Sequence, residues 1–296
     1  MLISNIRGGL GNQFFMYAFG RALSLKYDLP LYLDVSCFKG DRFQRTYSLG
    51  HFRVKGKVIT GSSIFQTCRF LAKCPSLLRR KPFSRFKIFF EPKGQHCFYD
   101  DTIVQPSSFN SISFCYLFGY WQNELYFRDF HDDIRNDFTI SAQLGPQVLE
   151  IASAIESVNA VCIHCRRLWA LPPQNIAQPA SVGDSLPLEY YKKAITAMTA
   201  SVPKPHFFCF SDQPEWLASH LQIDHPITFV DHRGHSGKDY EDLWLMSLCK
   251  YFIIANSTFS WWAAWLSKFH GKIVLCPDPA QYLGAAMPAQ GWQIIR

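Results

Sequence analysis

No two of the sixteen aspartates stand two positions apart; Asp239-Tyr240-Glu241 is the nearest approach to such a pair. Two carboxylates at that spacing would grip a divalent cation against a diphosphate. Without them, a bound diphosphate must be neutralised by cationic side chains and helix N-termini, and no metal site is expected. Long apolar runs are missing too. A membrane-spanning helix needs about 18 apolar residues, and the best stretch, 251–266, is broken by Asn256, Ser257, Thr258 and Ser260. At the N-terminus the apolar run meets Arg7 and two glycines too soon for a secretory signal, so a cytoplasmic protein is expected. A second C-x-x-C pair is absent. Cys162 and Cys165 stand three apart in strand-like sequence, which points them to opposite faces. The ten cysteines are scattered along the chain and read as small hydrophobes. The dinucleotide fingerprint G-x-G-x-x-G fails as well, because Phe14 stands where its last glycine would be, although Asp34 sits where a ribose-binding acid could. No internal repeat or low-complexity tract is present.

What is there suits a globular protein. At 296 residues the chain has room for two domains of about 150 residues each. Its net charge of +7 is local: Arg69, Lys73, Arg79, Arg80, Lys81, Arg85, Lys87 and Lys93 face only Glu91 between residues 67 and 93. Five phenylalanines interleave with them. No nucleic-acid motif accompanies this segment, so it reads as a surface for anionic lipid or an acidic glycan, or as a solvated basic face. A peripheral contact at the inner membrane face follows from the first of these.

Strand-like residues 2–6, a glycine turn and a helix-compatible run at 14–27 open a βαβ unit whose second strand, 29–35, ends near Asp34. The middle, 37–111, cannot be assigned. Residues 114–121 look like a buried strand. From 158 the alternation is regular: strands at 161–165, 206–210, 227–230, 252–255 and 272–276 alternate with helices at 187–201, near 214, at 240–250 and through the Trp-rich stretch after 256. Such repeats give a parallel sheet with right-handed crossovers. The simplest architecture is a pair of Rossmann-like halves with a boundary near residue 150.

Chemistry concentrates at strand ends. The strand 161–165 delivers His164, Arg166 and Arg167 to its carboxyl end, where open α/β sheets bind ligands. Arginine there can hold an anion in a planar fork. Since neighbouring residues diverge, one arginine can meet a ligand while the other anchors the loop. Asp212 ends another strand, and either contacts a purine or ribose or caps a helix. Ser257 and Thr258 start a helix, a place suited to phosphate. The turn containing Gly9, Gly11 and Asn12 exposes amides at another helix start; the alternative is a turn needing glycine for geometry alone. Two anion-receiving loops in one half of the chain suggest a phosphate-bearing ligand.

The segments GGLGNQFFMYAFGRALSLKYDLPLYLD, HCRR at 164–167, LPLEYYKKAI at 186–195, FCFSDQPEWL at 208–217 and FIIANSTFSWWAAWL at 252–266 occur in that order. Together they resemble the motifs of bacterial α-1,2-fucosyltransferases of glycosyltransferase family 11. The resemblance implies an α/β, GT-B-type fold of two facing Rossmann-like domains with parallel sheets: 1–150 on the acceptor side and 151–296 binding a GDP-sugar. It implies inverting transfer of L-fucose from GDP-β-L-fucose to a galactose 2-hydroxyl on a glycan acceptor, with no metal and no cofactor. Arg166 would meet the β-phosphate and, with Asn12, form the catalytic pair. His164 and Asp212 would contact guanine or ribose, and Ser257 and Thr258 phosphate. Gly9, Gly11, Asn12 and Trp169 would face the acceptor.

One departure stands out: the family pattern continues Gly-Asp after the arginines, whereas this chain has Leu168 and Trp169. Trp169 could stack on a sugar in place of the missing acid. Glu189, Asp184 and Asp34 are the remaining base candidates. A silent GDP-sugar- or glycan-binding relative, or a same-fold transferase using another nucleotide sugar, are the alternatives.

Overall fold

The computed structural model describes residues 1–39, 41, 45–61, 66–68, 70–71, 85–91, 97–105, 109, 112–167, 185–231, 238–282 and 286–296. Leu168, Trp169, Asp184 and most of the basic segment 67–93 lie outside them. The chain divides into two compact units, Met1–Ser141 and Ala142–Arg296. The break falls earlier than the boundary expected near 150, because that position lies inside a continuous helix, Pro146–Glu156.

The first unit carries a five-stranded sheet of β1 (Leu2–Asn5), β2 (Leu31–Asp34), β3 (Lys57–Ile59), β4 (Phe86–Phe90) and β5 (Phe114–Phe118), ordered β3-β2-β1-β5-β4 with every pairing parallel. Helix α1 (Leu10–Tyr27) follows β1. It starts inside the glycine segment rather than at 14, because Gly9 takes extended backbone and serves as the N-cap. Most of α1 is buried, and Gly20 lets it approach β1, where a Cβ would sit 3.0 Å from that of Ser4. A short helix α2 (His131–Asp137) closes the unit. Its Asp137 accepts hydrogen bonds from Tyr17 at 2.7 Å and Arg21 at 2.8 Å, so this buried carboxylate is paired.

The second unit starts with α3 (Pro146–Glu156) and holds six strands: β6 (Asn159–Cys165), β7 (Pro205–Ser211), β8 (Ile227–Val230), β9 (Tyr251–Ile253), β10 (Val274–Pro277) and β11 (Gln293–Ile295). Their order is β11-β10-β9-β6-β7-β8, again all parallel. Helices α4 (Leu188–Ser201), α5 (Pro214–His220), α6 (Asp239–Leu248) and α7 (Thr258–Leu266) connect them. Val161, Ile163 and Cys165 share one face of β6 and pack with Tyr190, Tyr191, Ala194 and Met198 of α4. Cys162 turns to the other face, beside Cys249, and burial pushes its thiol well up.

Both sheets reverse their winding once. In the first unit the chain steps outward from β1 to β2 and β3, then continues on the opposite side of β1, so β1/β5 is the switch point. In the second it steps from β6 to β7 and β8, then resumes at β9, so β6/β9 is the switch point. Ligands of open α/β sheets lie outside the carboxyl ends of the strands at such a place.

Candidate functional site

At the second unit's switch point, β6 runs out into Arg166 and Arg167, and β9 into Asn256 and Ser257. Parallel register aligns Cys165 with Ser211, so the residues just past both strands come together. Asp212 links both arginines: Oδ2 pairs with Arg166 Nη1 at 3.0 Å, and Oδ1 accepts the Arg167 backbone N–H at 2.9 Å. Arg167 is fastened further. Its Nε donates to Gln213 Oε1 at 3.0 Å, and its guanidinium lies 3.4 Å over the Trp216 ring, which stacks on His220. Arg167 thus anchors the loop, while Arg166 keeps 35% of its side chain exposed. Holding these two arginines is a role of Asp212 that differs from the purine or ribose contact and the helix cap expected from sequence.

His164 is 6% exposed, and its Nδ1 is buried with no hydrogen-bond partner. Burial, reinforced by the neighbouring Arg166 charge, holds its pKa down to about 3. It is therefore a neutral imidazole at any working pH, and its ring lies 5.7 Å from that of Phe259. Ser257 caps α7, its hydroxyl accepting the Phe259 N–H at 3.3 Å, and Thr258 is the first helical residue. The first turn of α7 carries no acidic residue, so nothing there repels an anion.

In the first unit, Gly8 adopts φ +73°, the left-handed region, and Gly9 and Gly11 carry the chain into α1. The backbone N–H groups of Asn12 and Gln13 donate to the Gly9 carbonyl. The Gln13 side chain ties the turn down by donating to the carbonyls of Gly8 at 2.9 Å and Thr46 at 2.8 Å. Asn12 Oδ1 accepts Gln122 Nε2 at 3.0 Å, which joins the segment after β1 to that after β5 across the switch point.

Asp34 does not serve as a base or ribose ligand in this arrangement. It is fully buried, accepting hydrogen bonds from Tyr116 Oη at 2.7 Å and the Ser36 N–H at 3.0 Å. Glu189 is exposed in the first turn of α4, where its charge favours the helix. Gln122, Gln213 and Trp216 were not singled out from sequence. Gln122 lies in the loop after β5 and Gln213 in that after β7, while Trp216 sits in the first turn of α5; their place beyond the carboxyl ends of strands is the available signal.

The comparisons with known proteins decide the family. The model of "Glycosyl transferase family 11" matches residues 73–292. The chain belongs to glycosyltransferase family 11. This family 11 enzyme is 28% identical over 290 residues to an Escherichia coli alpha-1,2-colitosyltransferase, covering 94% of this chain and 92% of that one. It is 24% identical over 180 residues to a rat galactoside alpha-(1,2)-fucosyltransferase 1, covering 58% of this chain and 47% of that one. Among solved structures it resembles the fucosyltransferase NodZ from Bradyrhizobium, with a TM-score of 0.50 and 15% identity, covering 88% and 91% of the two chains. That likeness bears on fold alone, and the α/β, GT-B-type class holds for this glycosyltransferase. No helix among the described residues is long and apolar enough to cross a membrane.

Proposed function

We propose that this family 11 glycosyltransferase transfers L-fucose, with inversion, from GDP-β-L-fucose to the 2-hydroxyl of a galactose on a glycan acceptor, without a metal. The observation that carries this reading is Arg166, a half-exposed guanidinium at a switch point, oriented by Asp212. During transfer the galactose oxygen attacks the fucose anomeric carbon, and the bond from that carbon to the β-phosphate breaks. The electron pair leaves on the phosphate oxygen, and the acceptor's proton ends on the diphosphate. A preoriented cation facing that oxygen stabilises the developing charge more than the ground state, which is what accelerates a reaction. The amides at the start of α7, with Ser257 and Thr258, suit the remaining phosphate oxygens. His164, neutral and with an unmet Nδ1, suits a guanine or ribose hydrogen bond. Asn12, Gly9 and Gly11 are assigned to the acceptor, as is Trp169 from its sequence position.

The rat relative's name supports the galactoside acceptor and the α-1,2 linkage. The Escherichia coli relative's name favours a second reading, transfer of colitose. An acceptor array incubated with GDP-[14C]fucose, in parallel with the corresponding colitose donor, separates them. Label on galactose-terminated glycans, absent when the 2-hydroxyl is blocked, is the expected result. Incorporation only from the colitose donor would replace fucose in the reading. GDP-fucose binding with neither transfer nor hydrolysis would mark a silent relative. The basic segment 67–93 fits peripheral contact with anionic lipid, which vesicle flotation tests.

A further inference from the structure

The first unit holds a cation that the reading above does not use. Arg7 stands two residues past the end of β1, and its guanidinium carbon lies 4.0 Å from the centre of the Phe118 ring and 4.5 Å from that of Tyr120. Those two residues end β5 and begin the next loop, so Arg7 is clasped at the switch point by the strand on the other side. It is half-buried, its Nε is enclosed without a hydrogen-bond partner, and no described carboxylate pairs with it.

Neighbouring acids are occupied elsewhere. Glu91 accepts the N–H groups of Tyr120 at 2.8 Å and Trp121 at 2.6 Å, Asp34 is fully buried, and Asp41 accepts the Arg45 N–H at 2.9 Å. One more positive source lies beside Arg7: the N-terminus of α1, three residues on, has no side-chain cap and no acid in its first turn.

We propose that Arg7 is a specificity-determining residue that binds a carboxylate carried by the acceptor glycan, on a sugar next to the accepting galactose. A guanidinium held against two rings keeps its orientation, so its planar fork meets a carboxylate with little ordering cost. A neutral hydroxyl would satisfy a donor but leave the charge unmatched. The nucleotide diphosphate is the other available anion, and the proposed function gives that to Arg166 and α7. The inference rests on the proposed acceptor side of that reading.

The test uses a galactosyl–uronic acid disaccharide and its counterpart with the carboxyl reduced to an alcohol. Binding to the full-length protein is measured by calorimetry without donor, and transfer is measured with GDP-fucose. The wild type should favour the acid about tenfold, the worth of one charged hydrogen-bonded contact. Arg7→Gln should bring the ratio of the two ligands close to one, and Arg7→Met, which keeps the stem against the rings, should do the same if the Gln variant misfolds. Arg7→Lys should restore only part of the preference. Equal binding of both disaccharides by the wild type, binding of neither, or a preference that survives in folded Arg7 variants would overturn the proposal. Absent transfer with the binding preference intact would refute the donor reading and leave this one standing.

Discussion

Asp212 holds two successive residues of one loop, pairing with the Arg166 side chain at 3.0 Å and accepting the Arg167 backbone N–H at 2.9 Å. The arginine that faces the site is therefore aimed by a carboxylate from the neighbouring strand. Arg166→Ala should lower kcat by roughly a hundred- to a thousandfold with the fold retained, the worth of one preorganised donor to a developing charge. Arg166→Lys should rescue poorly, because an ammonium offers no planar fork. Asp212→Asn keeps both acceptor positions only in part, and should reduce kcat with a smaller change in the affinity for GDP. Near-normal turnover by the Arg166→Ala variant would remove Arg166 from the chemistry.

This pairing explains part of what sequence did and did not disclose. The strand 161–165 and the arginines after it were legible, because a β-branched apolar run ends abruptly in charge. That Asp212 belongs with Arg166 was not, since 45 positions separate Asp212 and Arg167 and only the β6–β7 register aligns them. The first βαβ unit was legible from its periodicity and glycines. The middle was not. Lys57–Ile59 is a short, largely exposed edge strand with no alternation to detect. Phe86–Phe90 is an edge strand within the basic run, and its Phe86 and Ile88 pack into the core beside Phe114 and Tyr116. Glu91, the lone acid of that run, accepts two N–H groups of the loop after β5 and clasps it. The last strand, Gln293–Ile295, is likewise short and mostly exposed.

Transfer should survive EDTA. The chain has no Asp-x-Asp pair, and in the proposed reaction Arg166 and the start of α7 carry the positive charge that a metal would supply. Mild stimulation by magnesium would be compatible, through relief of product inhibition by GDP. Complete loss in EDTA with recovery on adding manganese would contradict the proposed reaction.

Gly119 should tolerate no side chain. A Cβ there would lie 2.5 Å from that of Glu91 and 2.6 Å from Trp121 Cε2. Trp121 cannot easily retreat, since it is 1% exposed and already held at φ +55°. Gly119→Ala should therefore cost about 1–3 kcal/mol, typical of overpacking. That corresponds to a melting temperature lower by roughly 5 °C. The strain should also loosen the Gln122–Asn12 hydrogen bond, raising the acceptor KM more than the KM for the donor. An unchanged melting temperature would show that the loop after β5 yields at little cost.

His164 should give the protein an acid-side loss of stability. Its folded pKa, about 3, lies below the 6.5 of an unperturbed imidazole, because burial and Arg166 both disfavour the charged ring. The unfolded chain therefore binds the proton first, and stability present above pH 6.5 drains as pH falls toward 3. At pH 5 the loss from this residue should be about 2 kcal/mol, from roughly one and a half pH units below the unfolded value. His164→Gln, which cannot titrate, should flatten denaturant-measured stability between pH 6.5 and 5 relative to wild type, whatever it costs at neutral pH. Parallel pH profiles for the two proteins would mean that the ring is more accessible to water than its burial implies. The same reasoning removes His164 from any acid limb in the rate, since a ring neutral down to pH 3 cannot change charge there.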